Sequence, residues 1–173
     1  HIITEHGGIQ ALVTLAASHD QDVHQQAAAA LRGLAVTNEN KMKIVQEGAL
    51  TPLSNLLTSE DVEILREVAA CFCNLSLSDE NKFEIVKSGA VTVMISLTQS
   101  ADMVVASQAA ATLANLAEVK ANQDTISDEG AIRPIITVMR SKYIEVQREA
   151  GRCLANLCAS DSAFTSSIIE GGG

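Results

Sequence analysis

The sequence predicts an all-α solenoid, and three observations lead to that prediction. A pattern of glycine, serine, leucine and isoleucine positions recurs every 41 residues along the 173-residue chain. Within each repeat the apolar residues follow a helical spacing. Aromatic residues make up only 2% of the sequence, with no Trp, although 47% of the residues are hydrophobic. A core of Ala, Leu, Ile and Val argues against an all-β sandwich, which favours aromatic and β-branched side chains.

The 41-residue period shows in several columns that share one register. The glycine column consists of Gly7, Gly48, Gly89, Gly130 and Gly171. A leucine column consists of Leu34, Leu75, Leu116 and Leu157. Coincident columns of this kind indicate an internal repeat. The resulting units, without insertions, are 7–47, 48–88, 89–129 and 130–170. We interpret residues 1–173 as a single domain, a fragment of a longer array or of a multidomain protein.

Each unit is predicted to contain three helices, as the second unit illustrates. Residues 49–58 place leucines at a helical spacing, and residues 62–77 form a longer helix with one apolar face. After a predicted break at 78–81, a shorter helix covers 82–87 and leads to Gly89, which can adopt the left-handed turn. Such a unit cannot bury its apolar face alone, so neighbouring repeats must stack into a solenoid.

Charge and composition narrow the possible partners. The chain has 12 Lys and Arg against 21 Asp and Glu, a formal charge of -9. A polyanion would be repelled, so we expect no nucleic acid partner. No run of about 18 apolar residues is present, so we expect no direct insertion into a membrane. We expect an intracellular, cytoplasmic location, with the nucleus as an alternative.

Cysteines and histidines give no support for a metal site or for catalysis. The cysteines are Cys71, Cys73, Cys153 and Cys158. Their spacing lacks the second pair and the return motif of a zinc site, so we expect no metal and no cofactor, and small buried thiols in a reducing compartment. The four histidines all lie within the first 24 residues, and none has a Ser or Cys partner at an interpretable spacing. No convergent titratable cluster is visible, so we expect no enzyme.

The endings of the long helices carry a resemblance to a known family. The four endings are Leu31-Arg-Gly-Leu34, Phe72-Cys-Asn-Leu75, Leu113-Ala-Asn-Leu116 and Leu154-Ala-Asn-Leu157. Together with the Gly-apolar joints and the Asn-Glu-Asn-Lys and Asp-Glu-Asn-Lys linkers, this pattern resembles the armadillo repeat over essentially the whole chain. In style it is similar to the plant U-box armadillo proteins. The nearest rival, the HEAT repeat, lacks these joints and the Asn-Leu ending.

The resemblance implies a right-handed superhelix whose third helices line a concave groove. In the family this groove binds an extended segment of a partner protein. The residues carried over are Asn74, Asn115 and Asn156, which we call the groove asparagines. A carboxamide offers one acceptor and two donors, so it can grip the N–H and C=O of a peptide unit together. We therefore expect these side chains to face an open groove. At about 10 Å per repeat and about 3.3 Å per residue, three of them would order roughly six to nine partner residues.

The chain also departs from the family pattern. Gly33 stands where the first unit would carry its asparagine. The peptide-binding importins of the family carry a Trp one turn before the asparagine. Here those positions are Ala29, Ala70, Ala111 and Arg152. Without indole rings, the groove offers little surface on which the aliphatic part of a Lys or Arg side chain can pack. This disfavours a function as a nuclear-import adaptor.

The same helix face carries acidic and amide residues before each groove asparagine. Those we assign to the groove are Glu63, Glu67, Gln108, Glu145 and Glu149, with Arg152 among them. One interpretation is a site for a basic or amide-rich peptide. The other is an ordinary solvated helix start, where acids favour the helix dipole. Interleaved arginines mean that the face is not uniformly negative.

Two functions therefore stay open. The first is a scaffold that binds a protein or an extended peptide in the groove. The second is a purely structural array segment that stacks end to end on further repeats or on another copy, with weak self-association as its consequence. The two differ in one observable: groove side chains without internal partners favour binding, and side chains with internal partners favour structure.

Overall fold

The computed structural model describes residues 7–159, and this range contains α-helices, one short 3-10 helix and no strand. The α-helices are α1 (Gly8–Ala16), α2 (His24–Leu34), α3 (Asn38–Gln46), α4 (Leu50–Leu56), α5 (Val62–Leu75), α6 (Asp79–Lys87), α7 (Ala90–Leu97), α8 (Met103–Leu116), α9 (Lys120–Asp128), α10 (Ile132–Val138) and α11 (Ile144–Cys158). The 3-10 helix, Gln21–Val23, directly precedes α2.

The helices repeat in a fixed order, and equivalent helices pack on each other. We call α2, α5, α8 and α11 the third helices. Each packs along the next one, α2 on α5, α5 on α8 and α8 on α11. The buried core between layers is aliphatic, with Phe72 as its one fully buried aromatic side chain within the described range. The all-α solenoid predicted from the period is thereby confirmed.

A glycine in the left-handed region joins successive repeats. Gly48 has φ 82° and Gly89 has φ 80°, and neither would bring an added Cβ within 4 Å of a neighbour. The requirement at this joint is therefore conformational rather than steric, because an L side chain rarely adopts such a φ. The predicted left-handed turn at Gly89 is confirmed. Gly171, the last member of the column, lies outside the described residues.

Two predicted helix boundaries in the second repeat are wrong. The sequence predicts a break at 78–81 and a helix from 82, whereas α6 begins at Asp79. Ser78 has extended backbone angles and precedes two acidic residues in the first turn, where they favour the helix dipole. The polar run is thus the start of the helix rather than a loop. The long helix of that repeat also ends at Leu75, two residues earlier than predicted.

An aspartate caps the starts of two third helices, α5 and α8, and of the 3-10 helix that precedes α2. Asp20, Asp61 and Asp102 occupy one column, and each side chain accepts a hydrogen bond from a backbone N–H that follows it. Such a cap satisfies one of the N–H groups that a helix start leaves without a partner. In the fourth repeat the column carries Tyr143, whose side chain makes no cap bond.

Candidate functional site

The groove asparagines lie at one register on three adjacent third helices, and each is bonded to the repeat before it. The Asn74 Nδ2 donates to the carbonyl of Arg32 at 3.3 Å, and the Asn156 Nδ2 donates to the carbonyl of Ala114 at 2.9 Å. Both carbonyls lie 42 residues before the asparagine that bonds them. The bonds therefore form one ladder across the third helices.

Asn115 reaches the matching carbonyl through a hydroxyl. Its Nδ2 donates to Ser76 Oγ at 2.9 Å, and Ser76 Oγ donates to the carbonyl of Cys73 at 2.8 Å. Cys73 occupies the column of Arg32 and Ala114. The ladder is thus continuous, with one hydroxyl inserted at its centre.

The three asparagine side chains differ in their exposure to solvent. Asn74 and Asn156 are partly exposed, whereas Asn115 is only 3% exposed. The expectation that Asn115 faces an open groove is therefore wrong. Near it, the guanidinium of Arg152 donates to the carbonyl of Ala111 at 3.3 Å and to Glu118 at 3.2 Å. Ala111 lies one turn before Asn115 on α8 and Glu118 follows the end of that helix, so these bonds place Arg152 on the same side of α8 as Asn115.

The central acids of the face are paired with arginines. Glu67 accepts a hydrogen bond from Arg32 of the preceding repeat at 2.6 Å. Glu149 accepts from Arg152 at 2.8 Å and from Arg148 at 3.1 Å. These pairs compensate the charge of the groove centre, so a basic partner gains little there. Because they are partly exposed, each contributes modestly to stability.

The remaining predicted residues lie nearer the starts of the third helices. Glu63 accepts from Arg66 at 2.6 Å. Glu145 is exposed and Gln108 is partly buried, and neither side chain makes a hydrogen bond or ion pair within residues 7–159. The structure therefore does not bring the predicted acids together as one negative cluster. Among the predicted acids, only Glu145, near the start of α11, lacks a paired cation within the described residues.

Three cysteines of the third helices, Cys71, Cys73 and Cys153, are poor nucleophiles. Burial raises the pKa of Cys71 and of Cys153 to about 12, and it raises the pKa of Cys73 to about 11. A thiol with such a pKa is almost fully protonated near neutral pH and reacts slowly. Within residues 7–159 all four cysteines are free, and no group of three His, Cys, Asp or Glu side chains is placed to hold a metal ion.

A second asparagine column, which the sequence analysis did not assign, joins the end of each third helix to the helix that follows it. The Nδ2 atoms of Asn40, Asn81 and Asn122 donate to the carbonyls of Leu34, Leu75 and Leu116 at 3.0, 3.2 and 3.2 Å. Each bond caps the carbonyl end of a third helix. The 41-residue spacing of these residues was visible in the sequence, but their carbonyl partners appear only once the helices are packed.

None of the described helices is long and apolar enough to cross a membrane. Comparison with solved structures finds the same fold in several engineered proteins. One engineered protein from the Northeast Structural Genomics Consortium is 35% identical, with a TM-score of 0.93 over 99% of this chain and 71% of that chain. A structure of computationally designed armadillo repeat proteins for modular peptide recognition is 26% identical, with a TM-score of 0.95 over 99% of this chain and 73% of that chain.

A third structure holds a ligand. It is a designed armadillo repeat protein in complex with the peptide (KR)4, and it is 25% identical with a TM-score of 0.92 over 99% of this chain and 73% of that chain. None of the curated proteins compared with the chain matches it.

The family comparison covers almost the whole chain. The model of the Armadillo/beta-catenin-like repeat matches residues 1–36, 37–77, 78–118 and 120–159. Armadillo repeats are non-enzymatic scaffolds that bind peptides. With four matched repeats, the all-helical solenoid and the asparagine ladder on its third helices, the chain belongs to the armadillo repeat family.

Proposed function

We propose that the chain is a protein interaction scaffold that binds an extended segment of a partner along the groove formed by its third helices. The observation that carries the proposal is the ladder of groove asparagines. One N–H of Asn74 and one N–H of Asn156 bond the preceding repeat, which fixes the orientation of both amides. The complex of a designed relative with (KR)4 supports a peptide as the ligand class.

In this proposal the binding role belongs to the outer two asparagines, Asn74 and Asn156. Each carboxamide has a second N–H and an acceptor oxygen. In Asn74 and Asn156 these atoms have no hydrogen-bond partner within the described residues, and both side chains are partly exposed. Amides held in place before binding lose little entropy when they grip a peptide unit. Asn115, which is buried, is the weakest candidate of the three.

The purely structural function is favoured by a specific observation as well. All three groove asparagines donate across a repeat boundary, and Asn115 is buried. By the criterion of internal partners, the bonds of all three asparagines favour a structural role, and those of the buried Asn115 favour it most. Only Asn74 and Asn156 are partly exposed and keep amide atoms without an internal partner, so the proposed binding role rests on these two.

A displayed peptide library tests the proposal. Peptides of about 12 residues match the length that four repeats accommodate at about three residues each. We expect binders to be selected, and the double variant Asn74→Ala, Asn156→Ala to weaken them by about tenfold or more, since each lost hydrogen bond is worth about 0.5–1.5 kcal/mol. Isothermal titration measures this affinity.

The control separates binding from folding. Gln10→Ala removes an exposed carboxamide from α1, which is not a third helix, and should leave affinity unchanged. Asn115→Ala should lower the melting temperature, because it breaks the buried bond to Ser76. The structural function is favoured instead if no peptide is selected, or if the double variant binds as tightly as the parent.

A further inference from the structure

The short helices α3, α6 and α9 each follow a third helix, and their fourth residues form one column, which consists of Lys41, Lys82 and Gln123. The Lys82 ammonium contacts Glu118, which lies two residues after the end of α8. The equivalent pairs of positions are therefore Lys41 with Leu77, Lys82 with Glu118, and Gln123 with Ala159. The same arrangement of helices thus carries three different side-chain pairs.

In the middle pair a buried ammonium meets two carboxylates. Lys82 is 3% exposed, and its Nζ lies 2.6 Å from Asp79 Oδ1 and 2.6 Å from Glu118 Oε2. Burial alone would lower the pKa of Lys82, but its hydrogen bonds to the two acids outweigh burial and raise that pKa. A buried charge costs free energy unless an opposite charge compensates it, and Lys82 has two such partners.

The first pair keeps the buried lysine but lacks both acids. Lys41 is 6% exposed, and Asn38 and Leu77 stand in the positions of Asp79 and Glu118. An ammonium has three N–H donors, whereas Lys41 Nζ donates to one neutral acceptor, Asn38 Oδ1, at 3.2 Å. It forms no ion pair and no other hydrogen bond within residues 7–159. The counter-charge that Lys82 has is therefore missing at Lys41.

The last pair shows that this column does not need a charge. Gln123 is buried, and its Nε2 donates to the carbonyls of Ala117 at 2.8 Å and of Asn156 at 3.2 Å. A neutral carboxamide thus joins the repeats at this position. Ala159 takes the place of Glu118, so the lysine and the acid are absent together. Of the three pairs, only the first combines a buried ammonium with no acid.

The backbone of Lys41 is held in place by the next repeat. Its carbonyl accepts from Asn81 Nδ2 at 3.1 Å, and the same Nδ2 donates to the carbonyl of Leu75, the last residue of α5, at 3.2 Å. Lys41 is thereby fixed beside the end of α5, which Leu77 follows closely. A cation that is fixed before binding loses little conformational entropy when it meets an anion.

The place of the missing acid lies at the edge of the groove. One repeat later Glu118 accepts from Arg152, which is among the residues assigned to the groove. At the first pair the position of Arg152 is taken by Ala111, and Leu77, in the position of Glu118, is 57% exposed. The first pair thus has neither the acid nor the arginine of the middle pair, and its acid position is open to solvent.

We propose that Lys41 binds the carboxylate of an aspartate or glutamate side chain on the partner segment. The carboxylate takes the place beside the ammonium that Glu118 holds beside Lys82. This inference rests on the proposed function for the segment that carries the acid. The formal charge of -9 on the chain repels a run of acids at long range. The segment that fits is therefore neutral around one acidic residue.

Three short peptides test the site directly. Acetyl-glycyl-glutamyl-glycinamide is titrated into ¹⁵N-labelled protein and followed by NMR, beside the same peptide with glutamine and beside acetyl-triglycine, which carries its carboxylate at the chain end. We expect saturable shifts at the amides of Lys41 and Leu77 with glutamate and much weaker ones with glutamine, because a carboxylate pairs with an ammonium more strongly than an amide does. Equal binding of glutamate and glutamine would overturn the inference, and binding of the chain-end carboxylate alone would overturn the side chain as its source.

Matched variants locate the site. Lys41→Gln gives the first pair the residue that Gln123 supplies in the last one, so it should fold, and it should weaken glutamate binding by about tenfold or more. Leu77→Glu supplies the carboxylate internally and should abolish binding. Lys87→Gln removes an exposed lysine at the end of α6 and should leave binding unchanged. A Lys41→Gln variant that binds glutamate as tightly as the parent would contradict the proposal.

Thermal unfolding separates a binding lysine from a structural one. Lys41→Gln removes a buried charge that has no counter-charge among the described residues, so the melting temperature should stay the same or rise. Lys82→Gln breaks two ion pairs and should lower the melting temperature. A Lys41→Gln variant with a lower melting temperature and an unchanged preference for glutamate would show that Lys41 serves only the fold.

Selected peptides distinguish this inference from the proposed function. The tripeptide is too short to need the groove asparagines, so its binding must persist in the double variant Asn74→Ala, Asn156→Ala. Peptides selected from the displayed library should share one acidic position, which should be lost when the selection is repeated on Lys41→Gln. Selected peptides without that position would overturn the inference and leave the groove function standing. If the double variant binds the selected peptides as tightly as the parent, the groove function fails, while a positive tripeptide result still supports the site at Lys41.

Discussion

The surroundings of Lys41 and of Lys82, one repeat later, differ in how their equivalent polar positions are filled, and we call them the earlier side and the later side. On the later side Lys82 is only 3% exposed, and its ammonium lies 2.6 Å from both Asp79 and Glu118. Glu118 in turn accepts from Arg152. A continuous set of internal ion pairs therefore joins α6, the turn after α8 and α11.

On the earlier side the matching positions lack these partners. Lys41 stands in the column of Lys82 and is 6% exposed, but within residues 7–159 its ammonium donates only to the Asn38 side-chain oxygen, at 3.2 Å. Leu77, which is 57% exposed, takes the position of Glu118. Gly33 likewise replaces a groove asparagine. The comparison teaches that equivalent polar positions are paired within the array in one repeat and lack the matching ion pair in another.

The largest expected difference between the two sides concerns the second asparagine column. Asn81 donates to two carbonyls, those of Lys41 and Leu75, and is 2% exposed, whereas Asn40 donates to that of Leu34. Asn81→Ala should lower the free energy of unfolding by about 2–3 kcal/mol, and Asn40→Ala by about 1 kcal/mol. Urea unfolding measures both, and equal losses would contradict the comparison.

Much of this architecture was predictable from the sequence, since it depends on short-range patterns. Helical spacing and the glycine column predict the helices and the left-handed turn at Gly89. The beginning of α6 at Asp79 was missed because a polar run serves equally as a loop or as a helix start. The burial of Asn115 was missed because it depends on the packing of neighbouring repeats, in which its amide bonds Ser76 of the preceding repeat.

Arg152→Ala sharpens the comparison on the later side. The variant removes the guanidinium that spans positions 111 to 118, so the side-chain amide of Asn115 should exchange with solvent faster. The lost, partly exposed pairs should cost up to about 1 kcal/mol of stability. NMR exchange of the Asn115 amide protons measures the first effect. Arg148→Ala, which removes a contact to Glu149 alone, should leave that exchange unchanged.

Leu77→Glu should give the earlier side an ion pair like the one that Glu118 forms on the later side. Its effect on stability is the smallest that we expect. The introduced carboxylate occupies the position from which Glu118 contacts Lys82, so it should pair with Lys41. We expect a gain of about 0.5–1 kcal/mol that decreases with added salt. Val36→Glu, at another exposed position of the same column, serves as the control. A gain of equal size in both variants would argue against a specific pair.

The most direct test of the account compares the outer groove asparagines with the central one. The double variant Asn74→Ala, Asn156→Ala should weaken a selected peptide by about tenfold or more, because each outer amide loses its exposed hydrogen-bonding atoms. Asn115→Ala should instead lower the melting temperature, because it breaks a buried hydrogen bond. A double variant that binds as tightly as the parent would contradict the account.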